Sequence, residues 1–262
     1  MFDYITIPER KGKDAIAVDI PVLNGVQIDK NLKEGFDLIP MWVADMNFVV
    51  PHCITGKVAE RLSHPSFGYY MVRDEYYQAI IDWQKNRHDV RDLTKEDIGY
   101  ENGLLGGLVS TLKVLLPDGG KVLLHTPAYI GFTHVLNDNG YEIIGSELKK
   151  DKNGIFRMNL EDMEQKIVKE QIRVAVFCSP HNPTGRVWER EELEAVVSLF
   201  EKYGITIISD EIWSDLILPG HTHIPFASIS EYARMNTVGL YAPSKTFNLA
   251  GLIGSYHIIY NK

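Results

Sequence analysis

The stretch RVAVFCSPHNPTG, residues 173–185, joins an apolar run directly to a turn-forming tetrapeptide. Its first half is apolar nearly throughout, which is typical of a strand that is covered on both faces in a parallel sheet. Three other runs share this pattern: KVLLHTP (121–127), ITIISDE (205–211) and TVGLYAP (237–243). Intervals of roughly 30 residues between such strands suit βαβ units. We therefore expect an α/β fold with a mostly parallel sheet.

Helical patterns fill the spaces between these runs. The segment EELEAVVSLFEKYG (191–204) has apolar residues on one face, and Gly204 is suited to end a helix there. The segment GLLGGLVSTLKVLLPDGG (103–120) carries leucines at helical spacing and is stopped by Pro117. These segments supply helices to flank the sheet.

The composition excludes several classes of protein. The 262 residues are 45% hydrophobic and carry a net charge of −8, from 27 basic and 35 acidic side chains. Such a balance argues against binding nucleic acid through its phosphates. The two cysteines, Cys53 and Cys178, form no disulfide or zinc pattern and indicate a reducing cytoplasm. We find no signal peptide and no apolar run of about 18 residues, so we expect a soluble, cytoplasmic protein without membrane contact.

A side chain that could take part in catalysis or ligand binding stands at the end of each of the four apolar runs. They are, in chain order, Tyr129, Asn182, Asp210 and Lys245. Because ligands bind beyond the carboxyl ends of parallel strands, we expect these four to meet at one edge of the sheet. Each has a structural alternative taken alone: a packing tyrosine, a simple turn at NPTG, a capping aspartate and a solvated lysine. Those alternatives do not explain why all four follow strands in succession.

The four side chains together suit an aromatic aldehyde cofactor bound as an imine. Lys245 would form the imine and later act as the base at the substrate Cα. Asp210, ionised at neutral pH with an unperturbed pKa of about 3.9, would keep a pyridine nitrogen protonated. Asn182 would donate a hydrogen bond to the ring oxygen, and Tyr129 would stack on the ring. The segment ENGLLGGL (101–108) offers a helix N-terminus to a phosphate, although it matches neither the Walker pattern nor GxGxxG.

Six motifs carry a family resemblance. The first three, in this order and spacing, resemble the fold-type I pyridoxal 5′-phosphate (PLP) enzymes, the class I/II aminotransferase superfamily: SPHNPTGRVW (179–188), SDEIW (209–213) and SKTFNLAG (244–251). The other three are similar to its MalY/PatB branch, of the cystathionine β-lyase or C–S lyase type: PMWVADMNF (40–48), FGYY (67–70) and HTPAY (125–129).

The resemblance implies roles for individual residues. It makes Lys245 and Asp210 catalytic, with Lys245 as the cofactor-linked lysine and Asp210 at ring nitrogen N1. It also implies that Tyr129 lies on the ring and Asn182 at O3′. The further cofactor-binding residues that it implies are Gly103, Leu104 and Leu105, whose N–H groups would hold the phosphate, together with Trp213, Ser244 and Tyr69. It implies no metal.

The resemblance also implies a domain organisation and a partner. Residues 1–45 would belong to the small domain, and residues 46–262 would form the large PLP-binding domain of a PLP-dependent transferase-like fold. Members of the family continue beyond the lysine, so we expect a C-terminal small domain to be missing, leaving apolar residues such as Ile5, Ile7 and Val22 with less to bury against. Tyr69 would reach the phosphate of a neighbouring subunit, which implies a homodimer.

Three positions depart from the family pattern. Trp213 stands where relatives usually have a Tyr or His that donates to O3′, and Ala242 stands where many have a phosphate-binding Ser. Ile253 replaces an arginine that binds the phosphate in many aminotransferases. The lack of that arginine favours the MalY-like branch, and Ser244 is expected to supply a remaining hydroxyl contact.

These observations lead to three hypotheses about function. The leading one is a PLP-dependent C–S β-lyase that catalyses α,β-elimination from cystathionine or cysteine-type amino acids, giving a thiol, pyruvate and ammonia. The first alternative is a PLP-dependent aminotransferase, which would use the same residues. The second is a truncated, non-catalytic chain that keeps the PLP pocket for binding or regulation. The HTH tripeptide at 221–223 is predicted to be a solvated loop, because no third metal ligand lies nearby.

Overall fold

The four apolar runs form the centre of a seven-stranded sheet. The computed structural model describes residues 3–20, 22–23, 26–27, 33–36 and 39–261. The strands are β1 (Val22–Leu23), β2 (Val26–Gln27), β3 (Ile98–Asn102), β4 (Gly120–Thr126), β5 (Tyr141–Glu147), β6 (Lys149–Lys150), β7 (Phe156–Arg157), β8 (Val174–Cys178), β9 (Thr206–Asp210), β10 (Thr237–Tyr241) and β11 (Gly254–Ile258). The helices are α1 (Ile16–Asp19), α2 (His52–Leu62), α3 (Asp74–His88), α4 (Leu104–Leu115), α5 (Ile130–Asp138), α6 (Leu160–Glu170), α7 (Arg190–Tyr203), α8 (Glu231–Asn236) and α9 (Pro243–Thr246).

The sheet is mostly parallel, as predicted. Its strand order is β3-β11-β10-β9-β8-β4-β5. Strands β5, β4, β8, β9 and β10 pair in parallel, and β11 runs antiparallel between β10 and β3. Sequence pattern missed β3, β5 and β11, because these strands carry polar or half-buried residues and do not read as continuous apolar runs.

Alternate residues of the central strands face two different cores. Leu123, Ala175 and Ile207 contribute to a cluster on one face, which is completed by residues of α6, α7 and α8. Their neighbours Val122 and Val176 contribute to a second cluster on the other face, together with α4 and α5. Because both faces are buried, nearly every position of these strands must be apolar. This double burial is the physical origin of the runs in the sequence.

The two predicted helices are confirmed at their ends. Helix α7 begins after Glu189, whose side chain forms a reciprocal capping box with Glu192, and it ends at Gly204 in the left-handed conformation at φ +65°. Helix α4 begins after Gly103 and ends two residues before Pro117. Among the residues that the structure describes, no helix combines the length and the apolar character needed to cross a bilayer.

The described residues divide into two compact units. The larger comprises residues 70–246 and 251–261 and contains the seven-stranded sheet; the smaller comprises the described residues up to 69 together with 247–250. Within the smaller unit, the Asn248 side chain pairs with the backbone N–H and C=O of Met46, at 3.2 and 3.1 Å. Ile5 and Ile7 are exposed, whereas the side chain of Val22 lies outside the described residues. The assignment of residues 1–45 to a small domain and of 46–262 to a large domain stays a prediction.

Candidate active site

The predicted site residues follow the carboxyl ends of neighbouring strands. Strand β8 ends at Cys178 and β9 at Asp210, and these two residues are in register. Asp210 is also in register with Leu240 of β10, the residue before that strand's last. Asn182 follows β8, Tyr129 follows β4, and Lys245 follows β10. The sheet therefore carries an amide, a carboxyl group and an amine on the segments that leave three adjacent strands.

Asp210 is the buried acid of this edge. Its side chain is only 5% exposed, and Oδ1 accepts a hydrogen bond from the Ile212 N–H at 3.0 Å. Burial raises the pKa of Asp210 to about 7, and the charge of Glu211 adds to the rise, while the Ile212 hydrogen bond and the charge of Lys245 act in the opposite direction. The unperturbed pKa used in the sequence analysis therefore does not describe Asp210 in the chain alone, because a buried carboxylate has lost its water.

Lys245 lies in α9, a four-residue helix that follows β10. Its side chain is partly buried, and Nζ lies 5.6 Å from the centroid of the Trp213 ring. This is a cation–π distance. Trp213 therefore borders the amine with its ring face toward the lysine, and its role toward a cofactor stays a prediction. The solvated-loop alternative for Lys245 does not describe this position.

Tyr129 is held at the start of α5 by a glycine that sequence reasoning missed. The tyrosine is the N-cap residue of α5, is 36% exposed, and meets Phe132 edge to face with ring centroids 5.4 Å apart. A Cβ at Gly131 would lie 2.4 Å from the Tyr129 ring. Only glycine leaves room for the ring at this place. The sequence contained a clue to this arrangement, since a glycine, Gly131, lies two residues after the tyrosine.

Asn182 lies in a turn, as the structural alternative for NPTG required. The turn spans residues 182–185 between His181 and Arg186, which form an isolated antiparallel bridge. Asn182 nevertheless borders a small pocket that His125, Cys178 and His181 also line. Burial lowers the pKa of His125 to about 3 and that of His181 to about 4, so both rings are neutral at physiological pH. The turn therefore places Asn182 beside a small pocket, and its role toward a cofactor stays a prediction.

The N-terminus of α4 provides a place for an anion. Gly103 precedes the helix at φ +83°, and no side chain caps the first turn. The backbone N–H groups at Leu104 and Leu105 therefore have no intrahelical acceptor. Ile253 packs beside this turn, because a Cβ on Gly103 would meet its Cγ2 at 3.5 Å. The residue that replaces the family arginine is therefore next to the predicted phosphate position.

For two other predicted site residues, Ser244 and Tyr69, the structure gives only their position and exposure. Ser244 is half-buried in α9 beside Lys245, and Tyr69 is fully exposed in the smaller unit. The assignment of Tyr69 to a neighbouring subunit stays a prediction.

At the HTH tripeptide (221–223), the structure differs from the expected solvated loop. His221 is exposed, but His223 is buried and its Nε2 donates to Glu211 Oε2 at 2.8 Å, so the prediction of a solvated loop is wrong for His223. Glu211 also accepts from Ser209, Tyr241 and the Phe226 N–H. Sequence reasoning missed Glu211, which directly follows the last residue of β9.

Comparisons with known proteins agree with this geometry. The family model "Aminotransferase class I and II" matches residues 45–259. Cystathionine beta-lyase PatB of Bacillus subtilis is 40% identical over 223 residues, covering 85% of this chain and 57% of the relative, and Protein MalY of Escherichia coli is 32% identical over 226 residues, covering 86% and 57%. The crystal structure of cystalysin from Treponema denticola, which contains pyridoxal 5′-phosphate, superposes with a TM-score of 0.90 at 30% identity, covering 100% of this chain and 64% of that one.

These matches confirm the resemblance read from the motifs and the α/β fold. The chain spans a little over half the length of the curated relatives that it matches. The match to the family model extends over more than half of the chain and includes each of the strand ends described above. The chain belongs to the aminotransferase class I and II family.

Proposed function

We propose that this chain is the PLP-binding part of a carbon–sulfur β-lyase. The observation that carries the proposal is the pairing of an amine and a buried acid: Lys245 follows β10, and Asp210 ends the adjacent strand β9. The similarity to PatB, named as a cystathionine β-lyase, supports lyase chemistry over transamination. Because the chain spans only part of its relatives, the activity and substrate of the whole protein are part of the proposal.

The residues present fit PLP chemically. Asp210 has a pKa near 7 because it is buried, and a cation placed beside it would favour its charged form. A protonated pyridine nitrogen is such a cation. The uncapped N-terminus of α4 fits a phosphate, since its N–H groups and dipole favour an anion. The partly exposed Tyr129 ring offers a flat surface for stacking.

Each residue then has a definite task. When bound, PLP supplies an aldehyde that links to amines and a ring that withdraws electrons from the substrate Cα. Lys245 would hold the cofactor covalently until the substrate amine displaces it, and its freed amine would then take the proton from the substrate Cα. Asp210 would accept the ring N–H, Asn182 Nδ2 would donate to the ring oxygen, and Tyr129 would orient the ring by stacking.

The remaining cofactor contacts hold its phosphate and border the amine. The N–H groups of Gly103, Leu104 and Leu105 and the hydroxyl of Ser244 would bind the phosphate. The centroid of the Trp213 ring lies 5.6 Å from Nζ of Lys245. The indole N–H is the donor that would take the place of the Tyr or His of relatives.

A β-lyase and an aminotransferase differ in where the electrons leave. In a lyase the Cα proton passes to Lys245, the Cβ–S bond breaks, and the sulfur departs with the electron pair. Water then completes the formation of pyruvate and ammonia, so no keto-acid acceptor is consumed. Ile253 beside the phosphate position, in place of an arginine, supports this choice. The aminotransferase remains the alternative, and a non-catalytic PLP-binding chain is the third.

The test uses cystathionine without any keto acid. We expect pyruvate, ammonia and a thiol in equal amounts, and borohydride should fix PLP to the peptide containing Lys245. Lys245→Ala should lose both the turnover of cystathionine and the fixation of PLP. Lys152→Ala, at an exposed lysine, should keep both activities. Turnover that requires 2-oxoglutarate would favour the aminotransferase. Fixation at Lys245 without turnover, in this chain and in the whole protein, would favour the non-catalytic alternative.

The cellular setting and the assembly belong to the same proposal. We expect a cytoplasmic homodimer in amino-acid metabolism, with Tyr69 completing the phosphate site of the partner. Mixing Tyr69→Phe subunits with Lys245→Ala subunits tests the shared site, because only a mixed dimer would combine one intact site with one doubly defective site. A monomer that binds PLP as tightly as the dimer would contradict the proposal of a shared phosphate site.

A further inference from the structure

A second acid, Asp215, lies five residues after Asp210 and is not part of the cofactor site proposed above. Its side chain is only 10% exposed. Oδ2 accepts a hydrogen bond from the Thr246 hydroxyl at 2.7 Å, and both carboxylate oxygens lie 3.1 Å from the indole nitrogen of Trp83. His88 Nε2 lies 3.2 Å from Oδ1. Donors from two separate parts of the chain therefore converge on this carboxylate.

Asp215 is held in its charged form. Burial alone would raise its pKa, but the contacts from His88 and Thr246, together with Trp83, lower the pKa below its ordinary value. Charge-assisted hydrogen bonds are shorter and stronger than neutral ones, and the 2.7 Å bond to Thr246 has that character. The Thr246 hydroxyl is therefore held by a fixed anion.

Thr246 directly follows Lys245 in α9. This helix has four residues, and a single turn has little stability of its own because helix nucleation is costly. The backbone position of Lys245 consequently depends on ties to the rest of the fold. The Thr246–Asp215 bond is such a tie, one residue from the amine-bearing side chain.

At its other end, the Asp215 carboxylate is bonded to a helix that packs on the sheet. Trp83 and His88 belong to α3, a 15-residue helix. Ile80 of α3 is buried in a cluster with residues of the sheet, and Gln84 donates to the Tyr256 hydroxyl on β11 at 3.1 Å. Asp215 thus connects a helix packed on the sheet to the short α9. Trp213, whose ring borders Lys245, lies two residues before Asp215 on the same segment.

We propose that Asp215 is a positioning residue that fixes the Lys245 amine, acting through the Thr246 hydroxyl. The proposal rests on the proposed function, because it assigns the residue that aims the cofactor-linked lysine. It names a role for an acid that touches neither cofactor nor substrate. Its effect should appear as orientation and rate at Lys245 rather than as loss of the fold.

The test compares Thr246→Val, Thr246→Ser and Asp215→Asn in the full chain. The matched controls are Ser146→Ala and Asp162→Asn, because Ser146 donates to Asp162 at the same 2.7 Å distance on β5 and α6. The first readout is hydrogen exchange at the α9 amides without cofactor. The second is the rate at which acetic anhydride labels Lys245, followed by mass spectrometry. The third is the visible circular dichroism of bound PLP, which reports the orientation of the ring.

We expect Thr246→Val and Asp215→Asn to speed exchange in α9 by about tenfold, the loss expected for one hydrogen bond to a charged group. In the same two variants, the rate of Lys245 labelling and the circular dichroism of bound PLP should also differ from wild type. Thr246→Ser should restore wild-type values, and both controls should leave α9 and Lys245 unaffected. Thermal melting separates these outcomes from unfolding, and Thr246→Val keeps the test decisive where Asp215→Asn fails to fold.

Wild-type exchange and labelling in Thr246→Val would overturn the proposal. The first two readouts need no cofactor, so they are independent of the proposed function. Failure of borohydride to fix PLP at Lys245 in the wild type would refute the function instead. Altered exchange in α9 together with failed fixation would leave Asp215 as an anchor of the lysine in a chain with another role.

Discussion

At the scale of single residues, the chemistry of the candidate site depends on one buried carboxyl group. Asp210 ends a strand with both faces covered, and its remaining charge partners are Glu211, which opposes ionisation, and Lys245, which favours it. A pKa of about 7 leaves the group ready to gain or lose a proton near physiological pH. Its titration should therefore be visible in the stability of the chain.

The first prediction concerns this titration. The folded pKa of about 7 lies above the ordinary 3.8, so the folded chain binds more protons than the unfolded chain between these values, and Asp210 destabilises the fold progressively as pH rises through that window. Relative to Asp210→Asn, we expect the wild-type free energy of unfolding to fall by about 2–4 kcal/mol from about pH 4 to 7. Urea titrations at several pH values measure it, with the exposed Asp138→Asn as control.

Saturating PLP should reduce this dependence, because a ring cation beside Asp210 favours the charged form of the carboxyl. A wild-type curve parallel to that of Asp210→Asn over the whole range would contradict the assignment of the raised pKa to this residue.

The second prediction concerns Gly131. A methyl group at this position would collide with the Tyr129 ring at 2.4 Å, so Gly131→Ala must swing the ring away. We expect PLP affinity to fall by about tenfold, the loss of one aromatic contact of roughly 1.4 kcal/mol. Fluorescence titration with PLP measures it. Gly56→Ala, in helix α2 with open space around it, is the control and should leave affinity unchanged. Equal affinities in all three proteins would show that Tyr129 does not support the ring.

At the scale of elements, Glu211 joins the ends of two strands to the loop between them. It follows β9, accepts from the Tyr241 hydroxyl at the end of β10 at 2.9 Å, and accepts from His223 and the Phe226 N–H on the connecting loop. Burial opposes its ionisation, but the hydrogen bond and charge of His223, with the other donors, lower the pKa of Glu211 overall. With the Ser209 hydroxyl, Glu211 accepts four hydrogen bonds. A buried anion with four donors holds the ends of β9 and β10 in a fixed arrangement with the loop.

The third prediction follows from this arrangement. Glu211→Gln removes the charge and leaves His223 and the other donors imperfectly matched, so we expect a loss of about 3–5 kcal/mol in the free energy of unfolding. Tyr241→Phe should cost about 1–2 kcal/mol, because it removes a single donor. Urea unfolding measures both. Glu194→Gln, in an exposed i,i+4 pair with Arg190, should change stability by less than about 0.5 kcal/mol.

Comparable small losses in Glu211→Gln and Glu194→Gln would show that the buried cluster contributes no more than a surface pair.

At the scale of the whole molecule, the site is assembled from segments far apart in the chain. Asp210 ends β9, and Tyr129, Asn182 and Lys245 follow β4, β8 and β10; these four strands are neighbours in the sheet. A ligand that contacts all four segments should stabilise the larger unit as one body, since binding to the folded state alone shifts the folding equilibrium.

The fourth prediction tests this coupling. At a PLP concentration about 100 times its Kd, we expect stabilisation of about 2.7 kcal/mol. Hydrogen exchange should slow at the ends of these four strands and in the first turn of α4, while α2 of the smaller unit stays unchanged. Exchange followed by mass spectrometry measures it, with pyridoxal lacking the phosphate as the matched ligand. Protection of the α4 turn by pyridoxal alone would contradict the phosphate assignment.

The sequence by itself determined the fold class and most of the proposed chemistry. Strands covered on both faces must be apolar at nearly every position, so β4, β8, β9 and β10 were readable as runs, and the residues after them were readable as a site. Strands β3 and β11 were not readable, because they carry polar or half-buried residues and do not form continuous apolar runs.

Only the tertiary structure decided the environment of each side chain. It gave Asp210 a pKa near 7, buried His223 against Glu211, and set Thr246 against Asp215. Each of these pairs joins residues from different segments, and local periodicity carries no information about such contacts. Burial and hydrogen bonding depend on which segments meet in space, and these two quantities determine protonation and orientation.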